Sequence, residues 1–204
     1  MGYSEAGASV TRRAMKGFKA RSGSPNEDIN WNNATLRQRG RMLYMSTPLA
    51  TSAVNTNRTK VVGVGLTLKS SINRDVLGLS PEAAKEWQKR TEAEFRLWAD
   101  RKQNCDAIGI NNFDALQQLA LVSWLMSGDV FAVFKRYPST PVRPYSLRVH
   151  LVEADRISTP NRMGGRNGFI SITDGENPEN GNRIFDGVEV NSDGMVVAYH
   201  VCNS

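Results

Sequence analysis

The stretch Ser80–Phe134, SPEAAKEWQKRTEAEFRLWADRKQNCDAIGINNFDALQQLALVSWLMSGDVFAVF, decides the fold. Ser80-Pro81-Glu82 is a helix start: the serine oxygen accepts from the first free amides, and proline's fixed φ suits the first helical position. The spacing predicts a helix from 81 to about 102. Ala84, Trp87, Thr91, Phe95 and Trp98 share one arc, with Lys85, Lys89, Glu92 and Arg96 opposite. Asn112 caps a second helix over 113–127. Its Leu116, Leu119, Leu121, Val122, Trp124, Leu125 and Met126 wrap most of the circumference, the mark of a helix packed on several sides. Gly128 ends it, and Val130–Phe134 follows as a short apolar strand. The two helices are expected to pack together, with Trp87, Phe95, Trp98 and Trp124 among the most buried residues.

Beyond Phe134, Pro138, Pro141 and Pro144 mark a loop, and Leu147, Val149 and Leu151 alternate as a strand. Residues 160–183, rich in Gly, Asn and Pro, read as a long excursion. Val188 and Val190 then lead through Asn191-Ser192-Asp193-Gly194 into Met195–Val201, a hairpin. On the other side, Lys60–Lys69 alternates around Val62, Val64, Leu66 and Leu68 and predicts a strand. Thr47-Pro48 opens a helix to about Arg58, and Asn33–Met45 is helical with a narrow stripe of Leu36, Gly40 and Leu43. Residues 1–32 read as a basic N-terminal arm, with Arg12, Lys16 and Lys19 at helical spacing and loop chemistry at 22–26. Helices first and strands after give the α+β class, with an arm (1–32) and a body (33–204). Ser204 follows the last strand abruptly, which predicts a fragment of a longer chain.

At 204 residues, 40% hydrophobic and 23% charged, the composition is that of an ordinary globular chain. The net charge of +6 is unevenly placed. Residues 1–74 carry twelve basic side chains against three acids; the remainder carries fourteen against seventeen. A basic front half points to an acidic partner, either nucleic acid or a negatively charged protein surface. Cys105 and Cys202 lie too far apart for a disulfide framework or a zinc pattern. No apolar signal segment opens the chain, and the longest apolar run, Leu116–Met126, is too short to span a bilayer.

Sites of chemistry are sparse. Gly63-Val64-Gly65 lacks the third glycine of a dinucleotide fingerprint and reads instead as a close backbone contact or bulge. His150 and His200 have no ligand-spaced neighbours. Glu153 and Asp155, with Asp129 as a third acid, are the one candidate metal cluster; the alternative is charges closing a strand, with Asp155-Arg156 in an ion pair. Arg37, Arg39 and Arg41 are candidate phosphate or subunit contacts, as are Arg12 and Arg13 in the arm. They lack the interleaved aromatics of a single-strand binder.

The chain resembles the lambda-type family of phage portal proteins. The likeness rests on blocks in order along nearly the whole chain. It begins with Tyr3, Ala6, Arg12-Arg13, Ser24-Pro25-Asn26 and Asp28. It continues with Leu36, Arg37, Arg39, Arg41, Pro48, Val61-Val62-Gly63 and Gly65. Next come Glu94-Phe95, Trp98-Ala99, Cys105-Asp106, Gly109, Phe113, Leu116-Gln117 and Gly128-Asp129-Val130-Phe131. It closes with Leu151, Glu153, Asp155-Arg156-Ile157, Gly187-Val188-Glu189 and Val197-Ala198-Tyr199-His200-Val201. The resemblance implies a non-enzymatic ring subunit, usually one of twelve, at one capsid vertex of the virion, assembled in the host cytoplasm. Its implied partners are the major capsid protein, terminase, head-completion and tail connector proteins, and double-stranded DNA in the channel, with no membrane and no cofactor. The chain would supply mainly the wing of a subunit that also has a stem, a clip and a crown. A metal-dependent DNA-processing enzyme and a simple DNA-binding module stand as the alternatives.

Overall fold

The computed structural model describes residues 13, 17, 23, 29, 32–160 and 174–202. Most of the arm and of the 160–183 excursion, with Arg12, therefore lies outside the described residues. The chain forms two compact units, 1–33 and 34–204. In the first, Asn32 N–H donates to the Ile29 carbonyl at 2.9 Å.

The larger unit runs helices first: α1 (Asn33–Ser46), α2 (Pro48–Val61), α3 (Arg74–Leu77), α4 (Pro81–Ala99), α5 (Lys102–Cys105) and α6 (Phe113–Ser127). Strands β1 (Val130–Arg136) and β2 (Leu147–Glu153) follow, then β3 (Asp174–Glu176), β4 (Arg183–Phe185), β5 (Val188–Val190) and β6 (Val196–Tyr199). This is the expected α+β order. Two of the caps form as the sequence implies, whereas Thr47 precedes α2 without a side-chain cap bond. The Ser80 hydroxyl accepts from Ala83 N–H at 3.2 Å, and Asn112 Oδ1 accepts from Ala115 N–H at 3.0 Å.

β1 and β2 pair antiparallel as a two-stranded sheet, and β3–β4–β5–β6 form a separate antiparallel meander. Asp186-Gly187 makes the two-residue turn between β4 and β5, with φ of 47° and 83°. The two sheets are joined where Ile157 bridges Val201. There the Cys202 N–H donates to the Arg156 backbone carbonyl at 2.6 Å, and the Arg156 guanidinium donates to the Cys202 carbonyl at 3.1–3.2 Å.

The core gathers where the C-terminal end of α4 meets the start of α6 over β2. Trp98, Ala99, Cys105, Leu116 and Val149 are buried there, with Phe95 and Phe113 against them. The three rings of Phe95, Trp98 and Phe113 stand 4.9–5.6 Å apart, the tilted and edge-on spacing aromatic quadrupoles favour. Trp98 Nε1 also donates to the Leu147 carbonyl at 2.8 Å, so its one polar atom is satisfied.

Three expectations are corrected. Residues 60–69 are not a strand: α2 runs on to Val61, and positive φ at Gly63 and Gly65 breaks any extended run. Trp87 and Trp124 are half exposed: the buried cluster takes Phe95, Trp98 and Ala99 from α4 and Phe113 and Leu116 from α6, and neither of these two tryptophans. The Leu36/Leu43 stripe of α1 is likewise exposed, and the residue that α1 buries is Arg37.

Candidate functional site

The candidate contact residues are not equivalent. Arg37 is nine-tenths buried and binds four groups from three parts of the chain. Its Nε donates to the Ser127 carbonyl at 3.3 Å, where α6 ends with unsatisfied carbonyls. Its Nη1 donates to the Ala154 carbonyl at 3.3 Å and lies 3.7 Å from Asp155. Its Nη2 lies 3.5 Å from Asp129. One turn later on α1, Arg41 pairs with Asp155. Gly40, between them, lies so close to α6 that a Cβ there would stand 2.6 Å from the Met126 carbonyl oxygen. Arg39 and Arg13 are exposed. The sequence's arginine run is thus split by helical phase. Arg37 and Arg41 staple α1 to the ends of α6, β1 and β2, while Arg39 faces away.

The acids of the candidate metal cluster do approach one another, but onto Arg37. Val130 pairs with Glu153 in the β1–β2 register, which brings the flanking Asp129 and Asp155 to the same end of the sheet. The guanidinium between them supplies the positive charge. Glu153 is exposed at the strand end. Among the described residues, no three Asp, Glu, His or Cys side chains are grouped as metal ligands.

Gly63 and Gly65 make the close backbone contact their pattern implies. At Gly65, with φ of 121°, a Cβ would fall inside the Asp114 carboxyl group of α6. The amide of Gln117 then mimics a strand edge, donating to the Leu66 carbonyl at 3.3 Å and accepting from Leu66 N–H at 2.7 Å. Gln118 donates to the Gly63 carbonyl at 2.7 Å. The backbone of Leu66 and the Gly63 carbonyl are thus taken by α6 side chains in place of a neighbouring strand.

Two features escaped the sequence reading. The first is a cleft of about 710 Å³ beside the aromatic cluster, walled by Leu68, Trp87, Phe95, Trp98, Phe134 and Tyr145. At its rim the Tyr145 hydroxyl donates to Glu94 at 2.6 Å, which holds that phenol's pKa above its ordinary value. The second is Glu189, buried on β5. It accepts from the side-chain amides of Asn177, Asn180 and Asn182 at 2.7–3.1 Å and lies 2.9 Å from His200 Nε2. Those amide donors, Asn182 and Asn180 foremost, pull its pKa down to about 2. The repeated asparagines of Asn177–Asn182 were the available signal, but only the meander brings Glu189 beneath them. His150 sits on β2 with its pKa lowered by burial and by the charges of Lys135 and Arg156.

No helix among the described residues is long and apolar enough to cross a membrane. Residues 11–204 match the family model described as phage portal protein, lambda family. No curated protein matches the chain.

Proposed function

The chain belongs to the lambda family of phage portal proteins, and from that premise we propose that it is a structural subunit of a ring at one capsid vertex. The ring is the channel for DNA during packaging and ejection. It docks terminase and later the tail connector, and it has no catalytic activity of its own. The observation that carries this reading is the family match over residues 11–204.

The surface chemistry supports it. Leu36, Met42, Leu43, Met45 and Leu49 of α1 and α2, with Trp124 and Leu125 of α6, leave large apolar side chains in solvent. Exposed apolar area of this kind marks contact surfaces. The basic first third and the slightly acidic remainder differ in sign, which suits a head-to-tail contact repeated around a closed ring. Arg12, Arg13 and Arg39 are assigned to subunit or phosphate contacts, and Arg37 and Arg41 to holding α1 in place. Residues 1–32 are assigned as an arm that reaches a neighbouring subunit or the shell, and 33–204 as the wing body.

Negative-stain images and light scattering of the purified chain test the proposal. Rings of one size are expected. A protein that stays monomeric at every concentration would overturn it.

A further inference from the structure

We propose that the sheet face carrying Lys135, Arg148 and His150 is a binding site for a phosphate-type oxyanion. The inference does not rest on ring formation. The β1–β2 register sets Lys135 opposite Arg148 and Val133 opposite His150. Directly paired residues point to the same face, and so do residues two apart on a strand. All three nitrogen-bearing side chains therefore share one face, opposite the one on which Val149 meets the core.

Arg148 is more than nine-tenths buried, and its guanidinium lies 4.5 Å above the Tyr137 ring, which holds the planar fork in one orientation. Its Nε is buried with no hydrogen-bond partner, and so is Nδ1 of His150. Buried polar atoms are nearly always paired, so two orphans on one face call for a ligand. Like charges opposite each other across a sheet are destabilising, yet Lys135 faces Arg148 and neither forms an ion pair with an acid among the described residues. The carboxylate whose charge acts on His150 is Asp106. It is already committed, accepting from the backbone N–H groups of Ile108, Ile110 and Asn111 at 2.9–3.0 Å.

Cationic side chains with no acid partner among the described residues, one of them a buried and oriented guanidinium, fit an oxyanion. The arginine fork takes two oxygens side by side. Arg148 and His150 stand about 7 Å apart along the strand, so a tetrahedral anion reaches both while a third oxygen meets the Lys135 ammonium. A free phosphate ion and a nucleic-acid phosphodiester present the same oxygens.

The chain has only two histidines, so the ring signals of His150 are a clean reporter, assigned by the His200→Gln variant. Inorganic phosphate should move them saturably, with a Kd of about 1–10 mM, against a chloride control of equal ionic strength. Lys135→Gln, at an exposed position, should weaken binding about threefold or more. Arg148→Lys keeps the charge but loses the fork, and should weaken it about tenfold. A short DNA duplex that moves the same signals and is displaced by phosphate identifies a phosphodiester source. A duplex without effect identifies the free ion. His150 signals that do not respond to phosphate, or a Kd unchanged in Lys135→Gln, overturn the proposal. Circular dichroism of both variants separates lost binding from lost folding, and Lys135→Gln decides if Arg148→Lys does not fold.

Discussion

Arg37→Met is expected to destabilise the chain by about 2–4 kcal/mol, although the residue stands in a run that resembles a surface phosphate contact. The Arg37 side chain is 10% exposed, whereas its carboxylate partners are 60% (Asp129) and 40% (Asp155) exposed. Partners so wet screen the ion pairs, which together contribute no more than about 1 kcal/mol. The larger share comes from the bonds to the Ser127 and Ala154 carbonyls. At 3.3 Å these are long, so each falls at or just below the lower end of the charged-donor range, at about 1–1.5 kcal/mol. Arg39→Gln, on the exposed side of the same helix, should stay within about 0.5 kcal/mol of the parent. For a chain of this length the Arg37 variant should melt about 5–15 °C lower. Thermal and urea unfolding, followed by circular dichroism, read both variants against the parent. If Arg37→Met unfolds with the parent, or if Arg39→Gln costs as much, the account of α1 as an arginine-stapled helix fails.

Three further outcomes follow from the geometry. Glu189 has a folded pKa near 2 against an ordinary 4.5, so its stabilising contribution is complete above about pH 4.5 and is lost as pH falls toward 2. The melting temperature should fall over that window, and Glu189→Gln should remove this part of the acid response; an unchanged pH profile would contradict the buried network. Gly65→Ala should cost about 1–3 kcal/mol, since it strains a positive φ and pushes against Asp114, and urea unfolding of that single variant is sufficient to check it. Cys105 is fully buried, and burial first of all pushes its thiol up to about 11, whereas Cys202 is exposed. A thiol reagent should therefore label one cysteine per native chain and both after denaturation, as mass spectrometry would show.

Much of the fold was legible because its signals are local. Ser80-Pro81 and Asn112 cap their helices through their own side chains, and Asn191–Gly194 closes its hairpin by turn chemistry. The alternation of Val62, Val64, Leu66 and Leu68 misled because it reports only a pattern, while a strand needs an edge to pair with. Here Gln117 and Gln118 of α6, some fifty residues away, take that backbone instead. Trp87 and Trp124 lie on apolar arcs that a sequence assigns to the core, but how far two helices stay in contact is set by how they cross.

The sequence by itself determined the α+β order, the helix caps, the charge asymmetry and the family, since each is written in neighbouring residues or in blocks along the chain. Tertiary structure alone decided which arginine is a staple and which faces solvent. It also decided that Asp129 and Asp155 meet on a guanidinium, that Glu189 lies under three asparagines, and that Lys135, Arg148 and His150 share a face. Each of these depends on strand register or helix phase against a distant partner, and a charged residue carries no local mark of the neighbour it will find.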